Sequence, residues 1–115
     1  MPVWGVWDDN TASFCFSCAP SARKASNIAS NAGVVVTTES TVECLSVEGT
    51  AELLIDEDSR EAWIEKLVGK YRAMGSDLGA PFLRRNLLFQ VTPSRAFAII
   101  ERDDEFSTRA TKWVF

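Results

Sequence analysis

Arg23 and Lys24 are adjacent cations just after a Ser/Pro-rich turn, in the stretch S-C-A-P-S-A-R-K-A-S-N-I-A-S-N over 17–31. The turn predicts a helix start there, and a helix start leaves backbone N–H groups without intrahelical partners. Those donors, the positive end of the helix dipole and two cationic side chains together favour an anion such as a phosphate. The chain around them is acidic: 16 Asp and Glu outnumber 12 Lys and Arg, for a net charge of −4. A cationic corner on an acidic protein suits a small anionic ligand; nucleic acid, which calls for a broad basic surface, is not an expected partner. The bland reading of the same pair is two solvated helix charges.

The chain contains no histidine. Ser/His and Cys/His nucleophile pairs, histidine acid–base work and histidine metal ligation are therefore excluded. Any catalysis must come from another group, or from a cofactor that carries the chemistry itself. Cys15 and Cys18 form a C-x-x-C, a spacing used by redox dithiols and half zinc sites. On a strand, however, positions i and i+3 face opposite ways, and no second C-x-x-C is present. Buried or ligand-adjacent thiols are the expectation, with no metal. Arg84 and Arg85 read as surface charge or as contacts to an anionic cofactor tail. The acidic run E-R-D-D-E at 101–105 reads as a solvated turn.

A length of 115 residues fits one domain spanning 1–115. No segment approaches the ~20 apolar residues of a membrane span, and the N-terminus shows no charged-then-apolar leader. With an odd cysteine count, this points to a reducing, cytoplasmic setting and no membrane partner.

The elements that must position the cationic pair follow from periodicity. The apolar run 2–7, the turn cluster Asp8-Asp9-Asn10 and the alternating run 13–17 predict a β-hairpin. A helix over 21–31 carries Ala22, Ala25, Ile28 and Ala29 on one face. Residues 34–38 predict a strand buried on both faces. Residues 42–55 alternate, with Leu45, Val47, Ala51, Leu53 and Ile55 on one side and Gly49 marking a bend or bulge. Asp56 or Asp58 caps a second helix over 58–73, with Ala62, Trp63, Ile64, Leu67, Val68 and Tyr71 on its apolar face. Residues 74–82 read as loop, 86–92 and 95–101 as strands broken or bent at Pro93-Ser94, and 109–115 as a last strand. Six or seven alternating strands with two short helices predict a mainly β fold with minor α. Such strands favour a closed or partly closed antiparallel barrel, since closure removes edges that would otherwise be exposed.

The ordered set P-V-W-G-V-W-D-D-N, F-C-F-S, the Arg23-Lys24 helix ending S-N-I-A-S-N, V-E-G-T-A-E at 47–52 and the terminal A-T-K-W-V-F resembles the pyridoxamine 5′-phosphate oxidase-like superfamily. The resemblance covers nearly the whole chain. It implies a Greek-key-like antiparallel split β-barrel, a homodimer, and FMN or the deazaflavin F420 bound at the subunit interface. It further implies that Arg23 and Lys24 hold the cofactor phosphate and that Ser17 also reaches it. Val3, Trp4, Gly5 and Val6 would line the ring, Trp4 rather than Trp7 facing it, and Trp113 would pack nearby. The implied activity is hydride transfer to or from a small organic substrate. The alternatives are a non-catalytic cofactor-binding module and an inactive truncated remnant. The absence of histidine and of basic residues on the first strand departs from the true oxidases, so oxidation of pyridoxamine phosphate itself is not expected. Members of the family carry a further helix and strand before the P-V-W-G segment. Met1 is accordingly read as an internal methionine, with the family's first strand missing.

Overall fold

The two alternating N-terminal runs pair as their pattern requires. In the computed structural model, which describes residues 3–38, 43–100 and 111–115, β1 (Trp4–Asp8) runs antiparallel to β2 (Ser13–Cys18). The connecting turn is held by Asp8, whose carboxylate accepts from the Thr11 N–H (3.2 Å) and hydroxyl (2.7 Å) and lies 3.2 Å from the Lys66 ammonium. The Thr11 hydroxyl bond is the main reason the Asp8 carboxyl lies below its ordinary pKa. Ala12 adopts φ 48° in this turn, a left-handed conformation that costs a residue with a Cβ.

From β2 the chain crosses through helix α1 (Arg23–Ser30) to β3 (Gly33–Thr37), then returns as β4 (Glu43–Leu53). Helices α2 (Glu57–Ala73) and α3 (Ala80–Arg84) precede β5 (Leu87–Ile100) and β6 (Thr111–Val114). The strand order is β1-β2-β5-β4-β3, all antiparallel, with β6 also on β5. β2 and β6 share one side of β5: β2 pairs with its first part and β6 with residues from Arg95 on. Consecutive β3, β4 and β5 with β2 beside β5 make the Greek-key arrangement. The fold is mainly antiparallel β with minor α.

Several expectations need correction. The described strands form an open sheet: β1 and β3 end the path and do not meet. Helix α2, not another strand, lies along β1, its Tyr71 hydroxyl bonded to Gly5. There are three described helices where two short ones were expected, and α2 runs to 17 residues. α3 falls in the expected loop because Pro81 reads as a breaker. In fact it occupies the first turn, where a missing N–H is tolerated. β3 is an edge strand, not a doubly buried one: Val34 and Val36 are half-buried while Val35 is 59% exposed. Leu53 and Ile55 are exposed as well, and Ile55 lies beyond β4.

The break or bend expected at Pro93-Ser94 takes the form of a bulge within one strand. β5 continues through 14 residues, and the register shifts opposite Glu48/Gly49. Ser94 is the extra residue, its hydroxyl donating to the Glu48 carbonyl at 3.1 Å. A Cβ on Gly49 would strike the Thr92 carbonyl oxygen, so this close approach requires glycine. The acidic turn expected at 101–105 lies outside the described residues.

The sheet has a core on each face. Cys15 and Leu88 pack with Trp63, Ile64, Leu67 and Tyr71 of α2 and Leu83 of α3. Phe16, Cys18, Phe89, Val91 and Ala51 pack with Ala25 of α1. Alternate residues of β2 therefore serve opposite cores, as period two dictates. Full burial of a side chain such as Leu67 stabilises by roughly 1.5–3 kcal/mol.

Candidate functional site

The cationic pair stands where the chain leaves the sheet for its crossover. β2 ends at Cys18, the Ala22 N–H donates to the Ala19 carbonyl at 3.0 Å, and α1 starts at Arg23. Ala22 is the N-cap and supplies no side-chain bond, and the first turn of α1 has no acidic residue. Ala25 anchors the helix in the core beside Phe16, Cys18 and Phe89. Arg23 is exposed and Lys24 half-buried. Among the described residues neither forms an ion pair. Burial pushes the Cys18 thiol up, and the Lys24 charge partly offsets this.

The other expected residues divide between the two faces of the sheet. Val3 packs against the Phe16 core on the α1 face. Gly5 presents its missing side chain to that face too, since a Cβ there would strike the Phe14 ring. Val6 packs instead against the α2 core. Trp4 meets the Tyr71 ring edge-on at 4.7 Å. Trp7, not Trp4, shares the α1 side, its ring 6.5 Å from Phe115. Alternation along β1 separates the two tryptophans in this way.

Ser17 is likewise on the α2 side. It is buried, and its hydroxyl accepts from the Asn86 amide at 3.0 Å. Phe16 and Cys18, its neighbours on β2, pack on the α1 side, so alternation separates the Ser17 hydroxyl, to which the resemblance gives a phosphate role, from that face. Trp113 sits on β6 opposite Ala96, and its side chain lies outside the described residues.

Cys15 and Cys18 are free thiols on opposite faces, as their spacing predicts. Burial pushes Cys15 up to about 12, which keeps it an unreactive thiol at neutral pH. Arg84 is engaged by Glu61 in a two-pronged ion pair at 2.7 and 3.0 Å, so it belongs to the α2–α3 contact. An open depression of about 330 Å³ lies at the bulge, lined by Gly33, Val34, Val35, Glu48, Gly49 and Ser94. It includes none of the expected cofactor residues.

The periodicity reading assigns Tyr71 only to an apolar helix face. Its hydroxyl in fact bonds both backbone groups of Gly5, with Lys70 on the same carbonyl. The signal available beforehand was a phenol, whose hydroxyl must find a partner when buried. Among the described residues, no helix is long and apolar enough to cross a membrane.

No family model matches the sequence, and no curated protein matches it. One solved structure aligns with 92% of this chain and 68% of its own, at 18% identity and a TM-score of 0.58. Likeness at that identity carries the fold alone.

Proposed function

We propose that this chain holds the phosphate of a flavin or deazaflavin, FMN or F420, on Arg23 and Lys24 and serves as an oxidoreductase for a small organic substrate. One observation carries the reading: two neighbouring cations, without acidic partners among the described residues, in the first turn of a helix that has neither a side-chain cap nor an acid. Cations at a helix N-terminus oppose the dipole, at roughly 0.3–1 kcal/mol each. A bound phosphate reverses that sign, so the donor set fits such a group.

The chain's own residues then have distinct tasks. Arg23 offers a planar fork to two oxygens, and Lys24 offers a point charge with rotatable donors. The N–H groups of the first turn add donors along the helix axis. Ala25, locked in the core, keeps the corner from shifting. When bound, the ring of such a cofactor supplies hydride chemistry, which needs no protein nucleophile. A homodimer belongs to this reading, and exposed Val35, Leu53 and Ile55 leave apolar surface for a second copy. A cytoplasmic setting accords with two free thiols.

The runner-up is a cofactor-binding module without turnover. It is favoured by the absence of histidine, which leaves no acid–base side chain with a clear role. The decisive measurement is titration of FMN and of F420, followed by fluorescence, on the wild type and on Arg23→Ala/Lys24→Ala. Binding by the wild type, lost in the double variant, supports the site; equal affinity ends the proposal. Hydride transfer to an acceptor by the loaded protein then separates enzyme from module.

A further inference from the structure

β1 is the end strand of the sheet, and among the described residues no strand pairs with its outer side. An open edge of this kind is a template for strand addition. At Gly5 that edge is nevertheless occupied. The Gly5 N–H donates to the Tyr71 hydroxyl at 2.9 Å, and the hydroxyl donates to the Gly5 carbonyl at 3.0 Å. Lys70 adds a second donor to the same carbonyl at 2.5 Å.

One hydroxyl that both accepts from and donates to a single residue does what the facing residue of a neighbouring strand does, since such a residue exchanges both bonds. Tyr71 is placed for this. It is 9% exposed, in the last turns of α2, and its ring is held edge-on by Trp4. The missing side chain at Gly5 matters on another side: the Phe14 ring fills that space. Gly5 is thus enclosed from the sheet face and from the edge at once. Trp7, two residues on, has its backbone groups on the same outer side by alternation.

We propose that Tyr71 acts as a surrogate strand, closing the β1 edge at Gly5 and keeping a second chain from adding there. The role is independent of cofactor binding. Lys70 is a reinforcing donor, and it also sets a charge beside the edge, a further deterrent to strand pairing.

The test starts with amide exchange in the wild type: Gly5 should exchange slowly and Trp7 fast, and equal rates overturn the proposal. Tyr71→Phe keeps the ring against Trp4 and removes only the hydroxyl. Gly5 exchange should then accelerate about tenfold or more. Sedimentation equilibrium at rising concentration should show species larger than those of the wild type. Tyr71→Phe/Trp7→Pro, which removes an outer-edge donor, should return to wild-type size. Gly5 exchange unchanged in Tyr71→Phe overturns the proposal, as does faster exchange at wild-type size. Larger species that persist in the Trp7→Pro double variant overturn it too, because association then does not run through this edge.

Discussion

The two longest helices begin in opposite ways. α2 starts on Asp56, whose carboxylate accepts the Ser59 N–H at 2.9 Å, followed by Glu57 and Asp58, and it ends with Lys70 and Arg72. Every one of those charges suits the dipole. α1 starts on Ala22 with no side-chain bond, carries Arg23 and Lys24 against the dipole, and has no basic residue in its last turn. α2 also buries four large side chains, whereas α1 buries Ala25 alone. One helix start is satisfied from within; the other is left with donors and positive charge to spare. The difference teaches where to look for stability and where to look for a ligand.

The largest effect expected from breaking this contrast is on binding. Arg23→Ala/Lys24→Ala should weaken FMN or F420 by several kcal/mol, since each charge-assisted contact contributes roughly 1.5–3 kcal/mol. Its melting temperature should hold or rise slightly, because two unfavourable dipole interactions are removed. A fall in both affinity and melting temperature would mean that the pair is structural.

Next comes packing. Leu67→Ala on α2 should cost about 2–5 kcal/mol in denaturant unfolding. Ile28→Ala on α1, where the side chain is only half-buried, should cost clearly less. Similar losses would erase the distinction between the two helices.

The cap is a smaller term. Asp56→Ala should lower the melting temperature, by less than Leu67→Ala does. The Ser59 N–H holds the Asp56 carboxyl below its ordinary value. A lowered folded-state pKa contributes stability above the unfolded value, and that stability is lost as pH falls through the folded value. Acid titration of the melting temperature should therefore show a loss in the wild type that Asp56→Ala lacks. α1, without a carboxylate cap, contributes no such term.

The smallest effect near neutrality lies in the thiols of the two faces. Cys15 rises from 9.0 to about 12 on burial. A raised folded-state value contributes fully below the unfolded one and is lost as pH rises through the folded one. The wild type should thus lose stability between pH 9 and about 12, and Cys15→Ser should flatten that limb in denaturant titrations at alkaline pH. An unchanged slope would place the alkaline loss elsewhere.

Much of the architecture was legible in short-range pattern. The hairpin 2–17, both longer helices, the Asp56 cap, the bulge at Gly49 and the opposite facing of Cys15 and Cys18 all follow from period, turn chemistry or a missing side chain. The candidate site was legible only as a pair. Arg23 and Lys24 needed nothing beyond their own helix start. Ser17, Trp4 and Val6 were grouped with them along the chain, and alternation turned them to the other side. Val35 shows the same limit: three consecutive valines read as a core strand, yet β3 lies at the sheet's end.

The amino-acid order by itself determined the N-terminal hairpin, the two longer helices with their apolar faces and the cationic helix start, because those depend on neighbours within a few residues. Only the tertiary structure decided that the sheet stays open, that Tyr71 meets Gly5 across 66 positions and that Ser17 bonds Asn86 across 69. Which face of a sheet a crossing helix covers depends on how distant strands stack. No local period carries that information.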